Sequence, residues 1–128
     1  MKAKILYIED NEQNFYLVHF ILAARGHQVL WAQDGEAGLA LALSEQPDLI
    51  LLDIQLPVMD GHEVARALRR EPSLEAKPVI ALTSYAMPGD RARAFEAGCT
   101  GYIEKPIKPD VFVLDVEAHL ASPLSPGA

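Results

Sequence analysis

The chain has 128 residues, half of them apolar and 23% charged, enough for one soluble domain with a core that needs no staples. Its formal net charge of −7, with no Lys/Arg stripe, excludes a nucleic-acid binder and favours a protein partner or a cation. No apolar run reaches the roughly 18–20 residues of a membrane helix. The opening "MKAKILYIED" is not laid out as a signal peptide, and the single cysteine, Cys99, suits a reducing cytoplasm.

Five apolar runs alternate with five helical segments. "AKILYI" (3–8) reads as the first strand, and 12–25 as a helix with Phe15, Val18, Ile21 and Leu22 on one stripe, stopped by Gly26. "QVLWA" (28–32) is the second strand, and Asp34 is the N-cap candidate for a helix over 35–45. "DLILL" (48–52) and "PVIAL" (78–82) are continuously apolar, as a parallel sheet covered on both faces requires. Between them "DGHE" (60–63) starts a helix with capping-box-like spacing and apolar Val64 and Leu68. Pro88 and Pro109 suit the first turns of the fourth and fifth helices, on either side of the strand "GYIE" (101–104). Phe112, Val113, Val116 and Leu120 mark the buried side of the fifth helix. Trp31, Phe15, Phe20 and Phe95 are assigned to packing, as are the histidines to packing or surface. The expected organisation is one βαβ-built domain over 1–121 and a short flexible Pro/Ser/Gly tail over 122–128.

In an open parallel α/β sheet, ligands bind beyond the carboxyl ends of the strands. The first strand delivers Glu9, Asp10 and Asn11 there, the third Asp53, the fourth Thr83 and Ser84, and the fifth Lys105. Each has a plain structural explanation alone: Asp10 or Asn11 can cap a helix, Thr83 can end a strand, and Lys105 can be solvated. Together they set three carboxylates, a hydroxyl and an ammonium on one edge. Close carboxylates repel by about 1–4 kcal/mol per pair, depending on solvent exposure. An all-oxygen donor set answers that repulsion with Mg²⁺ (or Mn²⁺), not zinc. Beside a dication and Lys105, Asp53 becomes a nucleophile toward phosphorus, and Thr83 a donor to the phosphoryl group.

These residues resemble the receiver domain of bacterial response regulators, the phospho-accepting half of two-component signalling. The resemblance covers residues 3 to about 120 and rests on Glu9–Asp10, "LLDIQLPVMDG" around Asp53, "ALTSYAMPGD" from Thr83, and "GYIEKPI" with Lys105–Pro106. It implies a flavodoxin-like (βα)5 fold, a five-stranded parallel sheet in order 2-1-3-4-5 with helices on both faces. It also implies phosphorylation of Asp53, and Mg²⁺ on Glu9, Asp10, Asp53 and the backbone carbonyl of Gln55. Thr83 and Lys105 would contact the phosphoryl group, with Thr83 and Tyr102 as switch residues and a cis Lys105–Pro106 bond. Gln55 and Tyr85 fall where the family varies its dephosphorylation rate. The implied partners are a sensor histidine kinase or a histidine phosphotransfer protein, and a downstream protein met through the fourth helix, fifth strand and fifth helix. Neither nucleic acid nor membrane is among them. Three other readings stay open: a receiver cut from a longer regulator with an effector domain, a Mg²⁺-dependent phosphohydrolase, and a flavodoxin-like nucleotide binder. Tyr102 is alternatively a half-buried strand aromatic.

Overall fold

Strands buried on both faces need apolar side chains at every position, and that is how the central runs are used. The computed structural model describes residues 2–56, 59–84 and 86–121. Lys4–Ile8 (β1), Gln28–Ala32 (β2), Leu49–Asp53 (β3), Val79–Thr83 (β4) and Gly101–Glu104 (β5) form one parallel sheet in the order β2-β1-β3-β4-β5. Every residue of β3 and β4 is buried. Alternate side chains part to two cores. Leu6, Ile8, Ile50, Leu52, Val79 and Ala81 face one; Ile5, Tyr7, Leu49, Leu51, Ile80 and Leu82 face the other.

The helices are Glu12–Ala23 (α1), Gly35–Glu45 (α2), Gly61–Arg69 (α3), Asp90–Ala97 (α4) and Pro109–Ala121 (α5). Helices α1 and α5 cover the second core, through Phe15, Val18, Ile21, Leu22, Phe112 and Val116. Helices α2, α3 and α4 cover the first, with Ala42, Val64, Leu68 and Ala94 buried there. The strand order reverses between β1 and β3, and the crevice this opens at the carboxyl edge is where such sheets hold ligands.

The boundaries differ from the expected ones for identifiable reasons. β3 and β4 begin one residue later and take in Asp53 and Thr83, because the parallel ladder continues through Asp53↔Leu82 and Thr83↔Glu104. The two polar residues are therefore buried strand residues, not loop residues. α1 ends at Ala23, where Arg25 N–H donates to the Leu22 carbonyl and Gly26 N–H to the Ala23 carbonyl, tightening the last turn. Gly26, at φ 90°, follows that turn and does not stop the helix directly. Pro88 lies outside α4, ahead of an N-cap formed by Gly89, whereas Pro109 is the first residue of α5 as expected. Asp34 and Asp60 do cap α2 and α3, accepting from Ala37 N–H at 2.8 Å and Glu63 N–H at 3.0 Å. Phe20 is 75% exposed and Phe95 38%, so neither belongs to the buried core; Phe95 packs at the surface under the Arg91 guanidinium, 5.1 Å from its ring centre. The expected 122–128 tail falls outside the described residues, as does Tyr85.

Two polar ties join distant elements. Arg69 of α3 donates to Gly98 O at 2.7 Å, Leu74 O at 3.0 Å and Glu75 O at 3.1 Å, anchoring the carboxyl end of α4. Buried His27 meets Glu117 of α5 at 3.0 Å, and Arg25 donates to the same carboxylate at 2.7 Å.

Candidate functional site

Four strands bring the predicted polar residues to one place. Glu9 leaves β1 still tied to the sheet, its N–H donating to Ala32 O at 2.9 Å. Its carboxylate is fully buried and accepts from Tyr7 Oη at 2.9 Å, Asn11 N–H at 3.3 Å and Lys105 Nζ at 3.0 Å. The same ammonium donates to Asp53 Oδ2 at 3.3 Å, so Lys105 bridges two carboxylates that arrive from different strands. Gln55 N–H holds the other Asp53 oxygen, Oδ1, at 2.8 Å. Asp10 is exposed, and Asn11 is the N-cap of α1, accepting from Asn14 N–H at 2.9 Å. Carboxylate oxygens of Glu9, Asp10 and Asp53 lie within 4.8 Å of one another.

Asp53 sits where it does partly because Gly61 makes room. A methyl group at Gly61 would meet Ile54 Cα at 2.5 Å and the Asp53 carbonyl oxygen at 2.8 Å. Gly61 N–H also donates to Ile54 O at 3.0 Å, so the start of α3 closes directly behind the acid. The "DG" after the apolar strand is thus a close-approach requirement. Lys105 is turned toward the acids at a cis Lys105–Pro106 bond, the geometry the resemblance implied.

The electrostatics follow from burial and proximity. Burial, and then the hydrogen bond and charge of Glu9, push the Asp53 carboxyl up to about 7. Burial also raises Glu9, but the proton shared with Asp53 and the Lys105 ammonium outweigh it and hold Glu9 down at about 2. Asp10 is shifted upward by its own partial burial and by Glu9. One ammonium does not neutralise three acids, and even a proton held by Asp53 leaves one negative charge on the cluster. A hard dication fits this set: the donors are all oxygen, the cluster is open at Asp10, and two carboxylates are already fixed by hydrogen bonds.

Thr83 is buried at the end of β4, its Oγ1 accepting from Gln55 Nε2 at 2.6 Å. Tyr102, in β5, is half-buried against the first core with its ring 5.9 Å from the Arg91 guanidinium. Its hydroxyl is buried and without a hydrogen-bond partner among the described residues. Two residues of the site were not foreseen. Trp31 stacks on Phe15 at 4.5 Å and donates its indole N–H to Glu9 O at 2.8 Å, and Tyr7 supports the Glu9 carboxylate. A polar-tipped aromatic one strand away from an acid was the available signal.

A doubly wound sheet with three acids and a lysine at its carboxyl edge defines a receiver-type signalling domain. Residues 5–117 match the response regulator receiver domain family, and the chain belongs to that family, the phosphoacceptor side of two-component systems. It is 39% identical over 120 residues to the polar-differentiation response regulator DivK of Brucella anthropi, covering 94% of this chain and 98% of that one. Among solved structures, chemotaxis protein CheY4 of Vibrio cholerae superposes with a TM-score of 0.87 at 29% identity, over 92% of this chain and 98% of the other. The receiver domain of a Pseudomonas aeruginosa sensor histidine kinase, which has a magnesium ion coordinated in its active-site cleft, gives 0.87 at 31% identity, over 94% and 99%. These relatives are signalling proteins, which does not favour the phosphohydrolase or nucleotide-binder readings.

Proposed function

We propose that this chain accepts a phosphoryl group on Asp53 from a phosphohistidine, carried by a sensor histidine kinase or a histidine phosphotransfer protein. The observation that carries the reading is the convergence of Glu9 and Asp53, from two strands, within hydrogen-bond reach of the Lys105 ammonium, which arrives from a third. An Asp53 oxygen forms the new O–P bond as the N–P bond of the donor breaks, and the departing imidazole keeps the electron pair. Glu9, Asp10, Asp53 and the Gln55 carbonyl would hold Mg²⁺, or Mn²⁺ at the same oxygens. The metal supplies positive charge to the phosphoryl oxygens when bound. Lys105 turns from the carboxylates toward the transferred group, and Thr83 offers its hydroxyl from β4.

The chain acts as a catalyst only on its own phosphorylation and dephosphorylation. Phosphorylation adds about −1.5 to −2 charges at the exit of β3. Thr83 and Tyr102 form the element this charge biases, and the face of α4, β5 and α5 carries the change to a downstream protein. We read residues 1–121 as the receiver unit, working in the cytoplasm. No helix among the described residues is long and apolar enough to cross a membrane.

The experiment is a phosphate-affinity gel of wild type and Asp53→Asn after incubation with acetyl phosphate and Mg²⁺. The wild type is expected to give a retarded band that the variant lacks. A band that persists in Asp53→Asn removes Asp53 from the acceptor role.

A further inference from the structure

The side-chain amide of Gln55 lies across the gap between the exits of β3 and β4. Its Nε2 donates to Thr83 Oγ1 at 2.6 Å, and its Oε1 accepts from Ser84 N–H at 3.1 Å. A backbone N–H can only donate, so the Ser84 contact fixes which end of the amide is oxygen and turns the NH₂ toward Thr83. Through its own N–H, Gln55 also holds Asp53 Oδ1 at 2.8 Å. One residue thus touches the acceptor carboxylate with its backbone and the neighbouring strand's polar groups with its side chain.

A phosphoryl group on Asp53 would bring three acceptor oxygens into this gap and require donors for them. Lys105 supplies one from β5, and β4 supplies the Thr83 hydroxyl and the Ser84 N–H. In this structure the Ser84 N–H is committed to the Gln55 carbonyl oxygen, and the Thr83 oxygen is engaged by the same amide. The Gln55 oxygen therefore stands in for a phosphoryl oxygen before any phosphoryl group has arrived.

We propose that Gln55 is a positioning residue that latches Thr83 and Ser84 in the unphosphorylated state and competes with the phosphoryl group for the Ser84 N–H. Phosphorylation must displace the amide, so the latch sets how strongly the resting state resists activation. This rests on the reading of Asp53 as the acceptor. It predicts that removing the amide, with the backbone carbonyl retained, strengthens binding of a phosphoryl analogue.

The test is calorimetric titration of the full chain with beryllium trifluoride in the presence of Mg²⁺, for wild type, Gln55→Met and Asp53→Asn. Gln55→Met keeps the side-chain length and loses both hydrogen bonds; Gln55→Ala serves as a second variant. Each is expected to bind the analogue about five- to tenfold more tightly than wild type, as freeing the Ser84 N–H from one modest hydrogen bond would give. Without metal or analogue, the Ser84 amide is expected to exchange its hydrogen several-fold faster in both variants. Unchanged or weaker affinity, or unchanged Ser84 exchange, overturns the latch and leaves the acceptor reading intact provided Asp53→Asn does not bind. Binding that survives in Asp53→Asn overturns both.

Discussion

Asp53 is a carboxylate in a place where ionisation is costly, and its proton makes that visible. Its folded-state pKa of about 7 lies above the ordinary 3.8, so the folded chain keeps a proton that the unfolded chain has released. In the metal-free protein the associated stability is present at low pH and lost as the pH rises through that window. Glu9, held down at about 2, works in the opposite direction, but its contribution is lost only as the pH falls below about 4.5. Between about pH 5 and pH 8, Asp53 therefore decides the sign. Thermal melting without metal should show wild type losing stability across that range. Asp53→Asn should be flatter, and at the upper end more stable by at least about 1 kcal/mol. A wild-type curve that rises instead would contradict the shared-proton picture. The sequence showed which acids meet, because each ends a strand at the same edge. It did not show that Asp53 is buried inside the ladder, nor that Trp31 supports the Glu9 backbone. Those depend on register, which a one-residue change in strand boundary alters.

Elements hold the site by close approach. α3 begins against the backbone of β3, and Gly61 is the position where a side chain would meet Ile54 and Asp53 main-chain atoms. Gly61→Ala should cost about 1–3 kcal/mol, the range for overpacking, and should lower the rate of phosphorylation by acetyl phosphate. Full phosphorylation at wild-type stability would show that the helix start has room to move. Helix positions were largely readable, since caps at Asp34 and Asp60 and the apolar stripe of α1 are local signals. Pro88 misled because a proline marks a turn as readily as a first helical turn, and here Gly89 makes the cap. The exposure of Phe20 and Phe95 was also hidden, because aromatic character alone does not say which side of a helix it decorates.

At the scale of the molecule, the sheet divides two cores and leaves its acidic crevice at the reversal between β1 and β3. A cation that binds only the folded crevice stabilises the whole fold by mass action. Mg²⁺ at ten times its dissociation constant should add about 1.4 kcal/mol, read as a rise in melting temperature. The increment should be smaller at about pH 5 than at pH 8, since protons then compete for Asp53. An equal increment in Asp53→Asn would place the ion elsewhere. The two-sided apolar runs made the layered architecture legible from the start. The cross-element ties of Arg69 and of His27 with Glu117 were not, because their partners are 29 and 90 residues away.

The indole of Trp31 touches the backbone of Glu9, and the chain contains one tryptophan. Its ultraviolet emission is therefore a label placed by nature a single contact from the acidic trio. Titrating Mg²⁺ should change that emission with a saturating curve that yields the ion's dissociation constant, and Trp31→Phe should abolish the signal. The protein can thus be followed by light in dilute solution without attaching a dye.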